Sequence, residues 1–209
     1  APPAPAPEAS GVPADKGSVT IQNWPTGRIG VVLFASNSVR GSEFAQGRVS
    51  ADGVLTYDLS TVSLGAGGTT PTFGSGPGCL GSVTASPADW KTTVLRVIPA
   101  FLDVSTDPGG MANGFVQLWF SQNALNPSAI KVGDQLVDEW VYADRKTRLS
   151  GQFDCASPKI KVMFNADFEP GWNFRISTVK AVENGAITEI ETTASRRAPA
   201  SYRLVYQPR

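Results

Sequence analysis

Residues 173–193 read NFRISTVKAVENGAITEIETT, two β-rich runs joined at Glu183-Asn184-Gly185. Asn-Gly strongly favours a two-residue hairpin turn, because both central residues of that turn need a positive φ angle. Just upstream, residues 159–165 alternate between apolar and polar side chains, as a half-buried strand does. This part of the chain therefore predicts antiparallel β structure.

The same signals extend toward the N terminus. Residues 18–24 alternate in polarity, residues 29–35 form an apolar run typical of a buried strand, and an Asp-Gly pair at 52–53 separates two further β-rich runs. Over the whole chain these signals predict twelve or thirteen strands and no helix longer than two turns. Short strands at even spacing indicate an all-β fold, which we expect to be an antiparallel, immunoglobulin-like β-sandwich of one domain or two packed subdomains.

Composition divides the 209-residue chain into four parts. Residues 1–16 begin with a Pro/Ala tract that tends to an extended, semi-rigid conformation and predicts a tether. Residues 17–63 predict a small four-stranded β unit. Residues 64–78 are rich in glycine and predict a linker or loop, and residues 79–209 predict a disulfide-containing β-sandwich domain.

The charge pattern bears on partners and compartment. The chain has 18 basic and 18 acidic residues, and the absence of a basic surplus argues against nucleic-acid binding. No apolar run approaches the ~18 residues of a membrane-spanning helix, so we expect membrane contact only through a lipid anchor upstream of residue 1. A Pro/Ala beginning is typical of processed exported proteins, which predicts a protein of the periplasm, outer membrane or cell surface.

Cys79 and Cys155 are the two cysteines of the chain. In an exported protein they permit one intramolecular disulfide, and two unrelated buried thiols are the alternative. Two cysteines without histidine do not supply a usual zinc site. Asp103 and Asp107 lie in a strand-ending loop, where they are either calcium ligands or turn residues. We expect no cofactor.

The chain contains no histidine. This absence excludes Ser-His-Asp and Cys-His nucleophile systems as well as proton transfer by imidazole. The acidic residues are scattered, and nothing in the sequence pairs them at a catalytic separation. The sequence therefore predicts a protein without enzymatic activity, and a carboxylate-based hydrolase is the remaining catalytic alternative.

Two predicted strands, at residues 115–121 and 136–143, carry the aromatic residues Trp119, Trp140 and Tyr142. On an outward face these three side chains would form an aromatic platform for a sugar or a partner protein. On an inward face they would pack between sheets or domains. The sequence leaves both arrangements open.

Several short motifs occur together. They are Gly78-Cys79-Leu80-Gly81, Tyr142-Ala143-Asp144-Arg145 and Glu169-Pro170-Gly171-Trp172-Asn173, preceded by Trp24-Pro25 and Ala51-Asp52-Gly53. Across residues 17–174 this set resembles a group of exported bacterial lipoproteins that have an immunoglobulin-like β architecture and no assigned activity. The Glu-Pro pair departs from the group, in which a basic residue is more usual there. The resemblance implies export and a Cys79–Cys155 bridge, and it implies no catalytic residues.

Together these observations predict a non-enzymatic cell-envelope or surface protein that acts as an assembly or protein-binding module. Its expected partners are other envelope proteins. The alternative is a carbohydrate-binding module that holds a surface polysaccharide against the exposed aromatic side chains.

Overall fold

A computed structural model describes residues 11–36, 43–62, 78–101, 114–119, 129–200 and 202–208. This part of the chain is almost entirely β and contains no helix element, which confirms the all-β prediction. The strands are β1 (Lys16–Gln22), β2 (Gly30–Ser36), β3 (Glu43–Val49), β4 (Val54–Asp58), β5 (Cys79–Ser86), β6 (Thr92–Phe101), β7 (Gly114–Trp119), β8 (Gln135–Ala143), β9 (Thr147–Ala156), β10 (Lys159–Phe168), β11 (Gly171–Glu183), β12 (Ala186–Ser195) and β13 (Arg203–Pro208).

The strands form two curled sheets, hydrogen-bonded in the order β5-β9-β10-β12-β11-β8-β6-β2-β3-β4-β1-β13-β7. Strand β1 joins the two sheets, because it pairs antiparallel with β4 along residues 16–20 and parallel with β13 at Ile21 and Gln22. Strand β12 inserts between β10 and β11, so that it is antiparallel to β11 and parallel to β10. These two parallel pairings depart from the fully antiparallel arrangement that the sequence predicts.

The predicted hairpin at the Asn-Gly pair is present. Strands β11 and β12 pair antiparallel up to Glu183 and Ala186, which leaves a two-residue turn between them. Asn184 has a φ angle of 52° and Gly185 one of 79°. Both values are positive, as the expected turn requires, since asparagine and glycine tolerate this conformation best.

The main core is built around Trp140 of β8. Its ring lies against the rings of Phe34, Tyr57, Phe174 and Tyr202, with centroid separations of 5.5, 5.7, 5.0 and 6.4 Å. These aromatic residues come from segments on both sides of residues 64–78, so the two predicted β units share one core. The boundaries at residues 63 and 79 stay predictions, because residues 63–77 lie outside the described part.

A second, smaller core lies under β5, β9 and β10. It contains Val83, Leu149, Ala166 and Phe168, and Trp90 packs on Phe168 at a ring-centroid distance of 5.4 Å. Leu149 and Phe153 of β9 face this core together with Phe164, Ala166 and Phe168 of β10. The even-numbered side chains of β9 form an exposed, mainly polar face. This part of the sheet therefore follows the two-residue alternation of a half-buried strand.

Residues 11–15 form an N-terminal strap that runs beside residues 196–198. The backbone N–H of Ala14 donates to the carbonyl oxygen of Arg196 at 2.7 Å, and the N–H of Ala198 donates to the carbonyl oxygen of Val12 at 2.9 Å. The strap is thus tied to the C-terminal part of the chain before β1 begins. Residues 1–10, the predicted tether, lie outside the described residues.

Two side chains of the main core donate hydrogen bonds to the strap. The hydroxyl of Tyr57 donates to the carbonyl oxygen of Pro13 at 2.6 Å, and the indole Nε1 of Trp140 donates to the carbonyl oxygen of Ala14 at 3.1 Å. A buried carbonyl that loses its donor costs about 1–3 kcal/mol. The strap is therefore an integral part of the main core.

Candidate functional site

The strap borders a groove of about 420 Å³, which we call the strap groove. Its walls come from the strap, from β1 and from the segment before β13. The lining residues are Gly11, Val12, Ser18, Val19, Thr20, Gln22, Pro199, Ala200 and Tyr202. No charged side chain belongs to this set, so the groove suits an uncharged ligand.

One edge of β1 faces this groove. The N–H of Ile21 donates to the carbonyl oxygen of Gly53 at 2.8 Å, so Ile21 belongs to the set of β1 residues that hydrogen-bond toward β4. Main-chain groups alternate in direction along a strand, so Ser18 and Thr20 direct theirs to the opposite side. Strand β13 pairs only from Ile21 onward, and no described strand pairs with this edge along residues 16–20.

The inner wall of the groove is apolar and neutral. Val19 and Tyr202 are both buried. Burial, with a smaller contribution from the neighbouring Tyr57, raises the pKa of Tyr202 well above its ordinary value, so its phenol stays protonated. The hydroxyl of Ser18 is turned toward β4, where it lies 3.3 Å from the carbonyl oxygen of Leu55. The groove therefore has an apolar floor beside the main-chain groups of Ser18 and Thr20, to which no described strand pairs.

This arrangement can bind an extended peptide. An added strand would use the N–H and C=O groups of the β1 edge and place alternate side chains in the groove, which is the usual form of strand addition.

Of the two arrangements that the sequence left open, the structure shows the inward one for Trp140, whose side chain is 0% exposed at the centre of the main core. Its place in an exposed aromatic platform is thereby wrong. Tyr142 is half-buried and packs edge-to-face on Trp172, with 5.2 Å between ring centroids. Trp119 lies in β7, and its side chain is outside the described part of the structure. Trp140 and Tyr142 contact the main core, whereas Val141 and Ala143 belong to the second core. Both faces of this part of β8 are therefore covered, which leaves no outward face for an aromatic platform.

The predicted disulfide is present. Cys79 and Cys155 are bonded to each other and are directly opposite residues of β5 and β9. The candidate calcium ligands Asp103 and Asp107 lie outside the described residues. Within the described ranges, no group of three potential metal ligands gathers at one place.

Two of the described carboxylates, Glu191 and Asp58, have pKa values below the ordinary value. Hydrogen bonds from Lys180 and Asn165 lower the pKa of Glu191. Hydrogen bonds from the Ser60 side chain and backbone likewise lower the pKa of Asp58. A general acid needs the opposite, a raised pKa near the working pH.

A Ser-x-x-Lys spacing at residues 177–180 also fails to form a catalytic pair. Ser177 is buried and its hydroxyl lies 3.3 Å from that of Thr192. The ammonium of Lys180 instead pairs with Glu191 at 2.6 Å. A Ser-Lys mechanism needs the two side chains next to each other with an uncharged lysine, and these two are committed elsewhere.

The Gly171-Trp172-Asn173 motif is structural. The Asn173 side chain accepts a hydrogen bond from the N–H of Glu169 at 3.2 Å and donates to the carbonyl oxygens of Glu169 and Gly171 at 2.8 and 2.9 Å. The indole Nε1 of Trp172 donates to the carbonyl oxygen of Leu59 at 2.9 Å. The motif therefore fixes the connection between β10 and β11 and attaches it to the segment after β4.

No known family model matches the chain, and no curated protein or solved structure is detectably similar to it. The similarity of its motifs to exported lipoproteins therefore stays a prediction. No helix in the described part is long and apolar enough to cross a membrane.

The strap groove was not predicted from the sequence. Its signal was present in part, since Ser18, Thr20 and Gln22 are the polar half of the alternating run in β1. Which edge of β1 stays open depends on where β13 joins it, at a separation of more than 180 residues along the chain. No local pattern carries that information.

Proposed function

We propose that this chain is an exported, non-enzymatic protein of the cell envelope or surface that acts as a protein-binding or assembly module. The observation that carries the proposal is the open edge of β1 along residues 16–20, which lies beside the uncharged strap groove. The Cys79–Cys155 disulfide is compatible with an oxidising compartment outside the cytoplasm.

The proposed architecture is a mainly antiparallel, immunoglobulin-like β-sandwich. Two curled sheets around a shared aromatic core support it. The disulfide differs from that of antibody domains, which joins the two sheets, because Cys79 and Cys155 lie on neighbouring strands of one sheet. The proposal therefore concerns the layered architecture and leaves out the antibody disulfide.

In the proposed mode of binding, an extended segment of a partner envelope protein lies along β1. The N–H and C=O groups of Ser18 and Thr20 hydrogen-bond to its backbone, and alternate side chains enter the groove. A volume of about 420 Å³ is near the lower end of the ~300–1,000 Å³ of ligand sites. Because most side chains that line the groove are small and none is charged, the bound segment should have small, uncharged side chains.

The test is to fill the groove and ask whether a partner is lost. Ala200 is exposed and lines the groove, whereas Ala186 is an exposed alanine at the start of β12. The variants Ala200→Trp and Ala186→Trp make the same change at the two places. Each tagged protein is recovered from a gentle detergent extract of the native envelope and analysed by size and quantitative mass spectrometry.

We expect the wild type and Ala186→Trp to recover the same stoichiometric envelope protein and Ala200→Trp to lose it, at an unchanged melting temperature. Thr20→Pro is a second variant, since it removes an N–H that faces the groove and no bond to β4. Recovery of the wild type as a lone 22.0 kDa species contradicts the proposal. Retention of the partner by both groove variants contradicts it as well.

A further inference from the structure

Strand β5 stands first in the hydrogen-bonded order of the strands and is therefore an edge strand. Among the described strands it pairs only with β9. Its sequence, CLGSVTAS, includes no charged residue and no proline. Leu80 is 78% exposed, the largest exposed fraction of any large apolar side chain in the described part. Soluble proteins ordinarily protect such an edge with charges, prolines or bulges. Strand β5 has no charge, no proline and no register shift against β9, so within the described part of the chain its eight-residue edge is a surface suited to strand pairing.

The direction of the β5 main-chain groups follows from one hydrogen bond. The N–H of Ala156 donates to the carbonyl oxygen of Gly78 at 2.9 Å, and these two residues are opposite each other in the continuation of the β5–β9 register. Even-numbered residues of β5 therefore bond toward β9. By the two-residue alternation, Gly81, Val83 and Ala85 direct their N–H and C=O groups to the open side.

We propose that β5 pairs with β5 of a second copy of this chain, antiparallel about a two-fold axis at Val83. In this register Val83 is opposite Val83, and Gly81 is opposite Ala85 of the second copy. Each of these is a pair of outward-facing residues, so each can exchange two N–H···O bonds. The result is one sheet continuous through both copies, with the two-fold symmetry that is commonest among homodimers.

The charges around the edge favour a second copy as the occupant. Because β5 is uncharged, self-pairing places no like charges opposite each other, which would be destabilising. On the next strand, Arg148 lies opposite Ser86 and Asp154 lies opposite Leu80, both on the exposed face. Arg148 pairs with Asp167 of its own chain at 2.7 Å, and Asp154 accepts a hydrogen bond from Gln152. Neither is an unpaired charge beside the β5 edge, so this neutral edge suits a neutral strand such as β5 itself.

The proposed register also fixes the side-chain neighbours. Ser82 of one copy is directly opposite Thr84 of the second copy, and both side chains are exposed in the single chain. Directly opposite side chains of an antiparallel pair have Cβ atoms about 4.5–5.5 Å apart. A charge placed at one of these positions therefore acts on its counterpart, which makes the register testable.

The experiment measures association of the full chain by sedimentation velocity over a range of concentrations. We expect the wild type to form a species of twice the 22.0 kDa chain mass. The double variants Ser82→Lys/Thr84→Lys and Ser82→Glu/Thr84→Glu should each dimerise about tenfold more weakly or worse. Mixed together, they should associate with each other, because every lysine then faces a glutamate.

Two controls separate this pairing from general effects of charge or stability. Gln152 is exposed on the same face one strand inward, opposite Ser82, so Gln152→Lys should leave the dimer intact. Ala85→Pro removes an N–H that faces the open side and no bond to β9, so it should weaken the dimer while the monomer stays folded. A monomeric wild type, a dimer that persists in both like-charged variants, or a mixture that fails to associate would overturn the proposal.

Discussion

Removal of the disulfide should destabilise the protein by an amount that its position in the chain sets. Cys79 and Cys155 are separated by 76 residues. In the chain-entropy account, opening a loop of that length costs about 4.5 kcal/mol at 25 °C. For a chain of this size that corresponds to a decrease of about 10 °C in melting temperature. The double variant Cys79→Ala/Cys155→Ala is the perturbation, because it leaves no free thiol.

Urea denaturation gives the free energy of unfolding, and hydrogen exchange shows which strands lose stability. The amides of Ser82 and Thr84 bond toward β9, so they should exchange faster in the variant than amides in the centre of the sheet. Ser157→Ala, next to the bridge but outside it, is the control. If the free energy falls by no more than ~0.5 kcal/mol, the range of ordinary surface substitutions, the entropic argument is wrong for this fold.

Three further predictions concern single side chains. Trp140→Phe should cost about 2–4 kcal/mol in urea denaturation, because it removes the donor to the Ala14 carbonyl and part of the core ring. Asn173→Ala should cost about 2–3 kcal/mol by the same measurement, because it strips a buried turn of its hydrogen bonds. The pKa of Glu191 is lowered chiefly by its hydrogen bond from Lys180, so its contribution to stability is present above the ordinary glutamate pKa and is lost as the pH falls through the folded-state pKa. Stability of Glu191→Gln should consequently decrease less than that of wild type between about pH 7 and pH 3.

Local chemistry made the strands and the turn at Asn184-Gly185 predictable. The turn needs two positive φ angles, and its sequence supplies the residues that adopt them most easily. The cysteine pair was predictable for a different reason, since two cysteines allow one intramolecular bridge. Each of these conclusions depends on short-range geometry or on counting, and neither requires knowledge of the order of the strands.

The order of the strands was not predictable in this way. Strand β12 lies between β10 and β11, although β10 and β11 are separated by only two residues in the chain. The parallel pairing of β10 with β12 follows from that insertion and has no signature in either strand. The same holds for β1, whose edge is open or closed depending on where β13 begins to pair.

The position of Trp140 shows where side-chain reasoning was insufficient. The alternation of β8 places Trp140 and Tyr142 on one face, and the sequence could not say whether that face was inward. The structure places Trp140 at the centre of the main core, where its indole N–H needs a partner. The strap supplies this partner through Ala14, so a hydrogen-bond requirement of the core explains why residues far from β8 pack against it.

The strap also determines how force would enter the fold if residues 1–10 act as a tether. The guanidinium Nε of Arg197 donates to the carbonyl oxygen of Gly11 at 3.0 Å, and Pro13 forms a β-bridge with the same residue. Tension applied at residue 10 would therefore load these bonds and the Tyr57 bond to Pro13 together. Tyr57 and Trp140 are core residues that hydrogen-bond to the strap, so the tension acts directly on the main core. A tether attached at this point pulls on the strap rather than on β5, so it leaves the outer edge of β5 available for pairing.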